Sequence, residues 1–221
     1  MPLPRAILLD FDGTLVDSEP LHHRCWAEAV RPWGVRTDWE DYRRRFVGIT
    51  DREAGRILLS EAGHQATAEL VSAACKRKHQ LYRSRCAEEL SISSETVAII
   101  RDLALFLPIG VVSSSITLEI GPVLRKANLN GHIRVVVCGD HVERHKPDPE
   151  PYLLGLKLLK ENLDSIEAHD CLVFEDSEAG AIAATAAGMR VSRVQHPSEL
   201  AGLLRMEAGG VFEGGAGGGA K

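Results

Sequence analysis

Ala6-Ile7-Leu8-Leu9-Asp10-Phe11-Asp12-Gly13-Thr14-Leu15-Val16-Asp17 is the stretch from which the rest of the chain is read. The apolar run Ala6 to Leu9 predicts a strand buried on both faces, as in a parallel sheet. Asp10 and Asp12 follow at its carboxyl end, the edge at which open α/β sheets bind ligands. Phe11 alternates to the opposite face, so the two carboxylates project together. Held this close, they repel unless a cation or a shared proton compensates them. A strand ending in a polar turn would account for one Asp and Gly13, but less well for the pair.

Outward from this stretch, short apolar runs alternate with helical patterns. Strands are predicted at Ala6–Asp10, Ile109–Ser113, Val135–Cys138, Leu172–Glu175 and Arg190–Val194. Helices are predicted over about 94–106, 117–127, 150–161 and 178–187, the last stopped by Gly188. This alternation gives βαβ units, a mostly parallel sheet and right-handed crossovers with helices on both faces. Nearly a hundred residues separate the first two strands, too many for a loop. Helical patterns at about 20–31, 38–46, 51–62 and 66–85 fill most of that interval, separated by Pro32, Gly34, Gly48 and Gly63. They read as a helical subdomain inserted directly after the Asp motif.

The 221 residues suffice for one good core with a modest insertion. At 44% hydrophobic, 26% charged and a net charge of −5, the chain has no basic field for nucleic acid or an anionic membrane. The expectation is a cytoplasmic protein with neither partner, monomeric because no coiled-coil pattern is present. Five scattered cysteines without metal-ligand spacing argue against a disulfide framework.

Three further signals stand at predicted strand ends. Ser113-Ser114-Ser115 precedes a helix, where a hydroxyl and free N–H groups suit either a phosphate cradle or simple capping. His145-Lys146-Pro147-Asp148-Pro149-Glu150-Pro151 holds Lys146 in a proline-fixed loop, either as a surface cation or as the counter-charge of an acidic site. Glu175-Asp176-Ser177 adds two carboxylates, with Asp176 or Ser177 free to cap the next helix. Asp10, Asp12, Glu175 and Asp176 in one cleft would call for a hard divalent cation, Mg2+ over zinc, and so for phosphoryl transfer.

The segments D-x-D-G-T-L-V-D-S, S-S-S, K-P-D-P-E-P-Y and F-E-D-S-E-A-G, in this order, resemble the haloacid dehalogenase (HAD) superfamily, in its phosphatase/β-phosphoglucomutase branch. The likeness covers roughly residues 4–205. It implies a Rossmann-like doubly wound parallel sheet over 1–17 and 88–208 and a small α-helical cap over 18–87; beyond it, the Gly-rich composition of 209–221 reads as a flexible tail. It implies Asp10 as nucleophile, forming an aspartyl-phosphate, and Asp12 as the acid that protonates the leaving oxygen and then activates water. Ser113 and the N–H groups after it would hold the phosphoryl oxygens, with Lys146 neutralising their charge. Mg2+ would be held by Asp10, the Asp12 backbone carbonyl and Asp176, with Glu175 directly or in support. Asp12 also favours a phosphate ester, since dehalogenases of the superfamily have no alcohol leaving group to protonate.

Substrate contacts implied by the same likeness are Ser114, His22, Gly48, Arg52 and Lys78, the last four in the cap. Two departures stand out. Asp51 occupies the position three residues after Gly48 where the mutase pattern has Arg; Arg52, one residue later, is turned by about 100° on a helix. Ile116 and Thr117 replace that pattern's Lys-Asn pair. Both weaken an anchor for a second phosphate, so the expectation is a phosphatase of a small phosphorylated metabolite, such as a sugar phosphate. A β-phosphoglucomutase-like mutase is the alternative. A catalytically idle protein that binds a phosphorylated ligand is a third reading.

Overall fold

The computed structural model describes residues 2–161 and 166–211. Five strands, β1 (Ala6–Leu9), β2 (Ile109–Val112), β3 (Ile133–Val137), β4 (Cys171–Glu175) and β5 (Arg190–Arg193), form one parallel sheet in the order β3-β2-β1-β4-β5. This is the predicted doubly wound α/β arrangement, with the chain order reversing beside β1. Every residue of β1, β2 and β4 is buried, which explains their unbroken apolar runs. β3 starts two residues before the predicted Val135, because an edge strand tolerates the exposed Arg134.

The chain divides into two compact units, residues 1–17 with 91–221, and 18–90. In the first, α5 (Ser94–Leu103), α6 (Thr117–Lys126), α7 (Glu150–Lys160), α8 (Glu178–Ala186) and α9 (Leu200–Ala208) flank the sheet. Tyr152, Leu156 and Leu159 of α7 join Leu8, Val112, Val137 and Val173 in one core with Ala183 and Ala184 of α8. α9 was not among the expected helices, although Leu200, Ala201, Leu204 and Ala208 form a buried stripe at helical spacing. Of the expected flexible tail, residues 209–211 are described; Gly209 N–H caps α9 on the Arg205 carbonyl, and 212–221 lie outside the described residues.

The second unit contains α1 (Glu19–Val30), α2 (Trp39–Arg45), α3 (Asp51–Glu61) and α4 (Ala68–Glu89). Asp38, Thr50 and Thr67 cap the last three by accepting from Asp41, Glu53 and Leu70 N–H groups. Trp26, Val30, Tyr42, Phe46, Leu59 and Val71 form its own core. No described helix is long and apolar enough to cross a membrane.

Candidate active site

The site is built at the carboxyl ends of β1, β2 and β4, where register pairs Leu9 with Val111 and Phe174. Asp10 follows β1 directly, and its amide donates to the Phe174 carbonyl at 2.9 Å. Phe11 is fully buried, and Leu15 and Val16 N–H groups both return to its carbonyl, folding residues 11–16 into a tight turn. Gly13 permits this turn. Its φ is +77°, and a Cβ there would lie 2.1 Å from Asp176 Oδ2.

Lys146 links the strand ends. Its ammonium, 5% exposed, donates to Asp10 Oδ1 at 2.6 Å, the Val112 carbonyl at 3.0 Å and Glu175 Oε2 at 3.2 Å. The K-P-D-P loop therefore presents a buried counter-charge, and the surface reading of Lys146 is excluded. Burial alone would favour a neutral amine, but Asp10, Tyr152 and Glu175 outweigh it and push the Lys146 pKa well up, so the charge is kept.

Both oxygens of Glu175 are held by protein donors. Oε2 accepts from Lys146 and, at 3.2 Å, from the Tyr152 hydroxyl; Oε1 accepts from the Ser177 amide at 3.3 Å and from its hydroxyl. Ser177, not Asp176, caps α8, accepting from Gly180 N–H at 3.0 Å. A Cβ on Gly180 would fall 1.8 Å from Glu175 Oε1, so this helix start leaves room for nothing but glycine.

Negative charge nonetheless predominates. Burial, then Glu175, pushes the Asp10 carboxyl well above the usual carboxylate range, against the pull of Lys146. Burial and Glu175 likewise raise Asp176, to about 6. One ligand oxygen from each of Asp10, Glu175 and Asp176 lies within 4.8 Å of the other two. Three hard oxygen donors with more charge than one ammonium neutralises are a donor set suited to a small divalent cation.

Asp12 is held by a hydroxyl. Ser115 Oγ donates to its Oδ2 at 2.6 Å, which holds the carboxylate toward the loop after β2. In that loop Ser113 is buried, donates its N–H to the Val137 carbonyl at 2.9 Å and accepts the Ser115 amide on Oγ at 3.0 Å. Ser114 is exposed, with its carbonyl so near Gly139 that a Cβ there would approach to 2.3 Å. Sequence reasoning passed over Ser115 and Tyr152 as site-building residues. Tyr152 carried a signal in the K-P-D-P-E-P-Y stretch, whereas Ser115 was one hydroxyl in a row of three.

The expected substrate residues of the helical unit fall into two groups. His22 stacks on Tyr82 with ring centroids 4.1 Å apart and planes 2° from parallel. Lys78 is buried and donates to Asp51 Oδ2 at 2.7 Å. The same oxygen accepts from His79 Nε2 at 2.6 Å, and Asp51 Oδ1 accepts from Trp26 Nε1 at 3.2 Å. Burial would raise the Asp51 pKa, but His79 and Lys78 overcome it and hold the carboxyl far below its ordinary value. Gly48 is exposed with φ +83°, and Arg52 is exposed. Asp51, read from sequence only as a missing Arg, is thus the hub of a charged cluster.

Comparison with known proteins finds similar chains over most of this one. The family profile described as haloacid dehalogenase-like hydrolase matches residues 7–194. The chain is 30% identical over 207 residues to the phosphorylated carbohydrates phosphatase of Thermotoga maritima, covering 93% of this chain and 92% of that protein. It is 28% identical to the fructose-1-phosphate phosphatase YqaB of Escherichia coli, over 83% of this chain and 93% of the relative. A Thermotoga maritima crystal structure described as a candidate β-phosphoglucomutase superposes with a TM-score of 0.68 at 26% identity, covering 91% of this chain and 99% of the other.

Proposed function

The chain belongs to the haloacid dehalogenase-like hydrolases, and from that premise we propose that it is a Mg2+-dependent phosphatase of a small phosphorylated metabolite, foremost a sugar phosphate, working through an aspartyl-phosphate on Asp10. The observation that carries this reading is the Lys146 ammonium held between Asp10 and Glu175 at the sheet edge. That contact keeps a carboxylate nucleophile oriented and supplies fixed positive charge where phosphoryl oxygens would crowd.

An Asp10 oxygen attacks phosphorus, forming an Asp10 O–P bond as the ester P–O bond breaks. Asp12, steadied by Ser115, gives its proton to the departing alkoxide. It then removes a proton from water, which attacks phosphorus and releases inorganic phosphate and free Asp10. Ser113, Ser114 and the loop N–H groups hold the phosphoryl oxygens. Asp10, Asp176 and the Asp12 carbonyl would hold Mg2+, with Glu175, already engaged by protein donors, in support. When bound, the ion would offset the charge of carboxylates and phosphate together. His22, Gly48, Arg52 and Lys78 of the helical unit contact the leaving group. The reading is of a cytoplasmic monomer.

The likeness to the β-phosphoglucomutase-type structure favours a mutase as the second reading. Asp51 speaks against it, because it neutralises Lys78 where a second phosphate would need positive charge. The test is inorganic phosphate release from a panel of sugar and organic-acid phosphates, with Mg2+, with EDTA and with Asp10→Asn. Release requiring both Mg2+ and Asp10 is expected. Conversion of β-glucose 1-phosphate to glucose 6-phosphate without phosphate release would establish the mutase instead.

A further inference from the structure

Asp38, Thr50, Thr67, Ser93 and Ser177 each stand before a helix and cap it with their own side chain. α6, into which the serine loop leads directly, begins on Ile116, whose side chain can accept nothing. Its cap comes instead from Asp140, 23 positions downstream in the loop after β3. Asp140 Oδ1 accepts both the Thr117 amide and the Thr117 hydroxyl, each at 3.0 Å. Burial would raise the Asp140 carboxyl, but those two donors draw it below its ordinary value and keep it an acceptor.

The two loops meet at successive places. Ser113 N–H donates to the Val137 carbonyl at 2.9 Å, Gly139 N–H to the Ser115 carbonyl at 2.9 Å, and Thr117 N–H to Asp140. These bonds continue the pairing of β2 with β3 beyond the strands, with a carboxylate as the last acceptor. Glycine is needed at the middle place, where a Cβ would fall 2.3 Å from the Ser114 carbonyl oxygen. His141 adds a further contact. Its Nδ1 accepts the Cys138 amide at 3.2 Å, so the neutral ring carries its proton on Nε2, facing the Thr117 hydroxyl at 3.1 Å. Cys138, Asp140 and His141 are by type and closeness a possible metal trio. The Thr117 hydroxyl already bridges two of them, and the group works as a clamp.

The loop after β3 goes on to carry Lys146, and the serine loop holds Asp12 through Ser115. We propose that Asp140 is a positioning residue: by capping α6 from the neighbouring loop, it holds Ser113, Ser114 and Ser115 in register with the loop that carries Lys146. Asp140 acts through Thr117 and the serine loop and does not itself touch phosphate. The inference rests on the reading of the serine loop as the part that holds the phosphoryl oxygens.

The probe for the test is vanadate, whose five-coordinate form mimics the phosphoryl-transfer transition state. Calorimetry in saturating Mg2+ should show Asp140→Ala binding vanadate about tenfold more weakly than the parent. Asp140→Asn should restore the affinity to within about twofold, since a carboxamide oxygen accepts both Thr117 bonds. Binding of Mg2+ alone should be equal in all three proteins, which a general loss of structure would not allow. Hydrogen exchange at the Thr117 amide, read by NMR, should quicken in Asp140→Ala and stay slow in Asp140→Asn. Four results overturn the proposal: parent-like vanadate affinity in Asp140→Ala, an Asp140→Asn protein as weak as Asp140→Ala, Mg2+ and vanadate weakened together, or unchanged Thr117 exchange. A parent that binds no vanadate and releases no phosphate would instead defeat the phosphatase reading. Thr117 exchange would then still decide whether Asp140 holds the loop.

Discussion

Two carboxylate clusters, one in each unit, stand in opposite electrostatic states. At the sheet edge, Asp10, Glu175 and Asp176 share one ammonium, and burial with mutual repulsion pushes Asp10 and Asp176 up. In the helical unit, Asp51 alone receives Lys78, His79 and Trp26, and its pKa is pushed down. The first cluster is short of positive charge and therefore suited to a cation and a phosphate. The second is already neutralised and suited to neither. The same residue type does different work because the count of donors around it differs.

The largest expected effect comes from breaking the first cluster at its centre. Asp10→Asn should lower phosphate release by about 10³-fold or more while leaving circular dichroism and the melting temperature near those of the parent. Full activity in that variant would remove the distinction between the clusters as a functional one. Lys146→Met attacks the same cluster by removing the ammonium that Asp10 and Glu175 share, leaving buried carboxylates unpaired; urea unfolding should register a loss of about 3–5 kcal/mol.

Supplying the missing charge should have the reverse effect. Mg2+ at a hundredfold excess over its dissociation constant should stabilise the protein by about 2.7 kcal/mol, a rise in melting temperature of roughly 5–10 °C. Asp176→Asn should diminish that rise, and EDTA should abolish it. An equal response in Asp51→Asn would sharpen the comparison, since Asp51 takes no part in that cluster. The smallest effect concerns Asp51 itself. A carboxyl with a depressed folded pKa contributes stability above its unfolded value of about 4, and that stability is lost as pH falls through the folded pKa. The parent should therefore lose a few degrees of melting temperature between about pH 4 and pH 2 that Asp51→Asn does not lose.

Much of this organisation was legible in the sequence because burial on both faces forces a continuous apolar run. That is how β1, β2 and β4 announced themselves, each with a carboxylate or hydroxyl just beyond it. Edge positions were harder: Arg134 interrupts the pattern of β3 without ending the strand. α4 runs to Glu89, beyond the expected residue 85, since a charged, solvated turn carries no apolar period to mark its end. Contacts between residues far apart in sequence were not legible at all. Ser115 reaches Asp12 across 103 positions, and Lys78 reaches Asp51 across 27; neither pairing leaves a local trace. The glycines had a trace but not a reason: Gly180 stands in the F-E-D-S-E-A-G stretch because Glu175 occupies the space of its missing side chain.

Asp10, held in this cluster by Lys146, is the residue on which the proposed reaction turns. The most direct test is rapid acid quenching during turnover of a phosphate ester found in the panel, followed by peptide mass spectrometry. A phosphoryl group on the peptide containing Asp10, absent when Asp10→Asn is treated in the same way, is the predicted result. Phosphate release at the parent's rate by Asp10→Asn, with no phosphorylated peptide trapped from either protein, would contradict it.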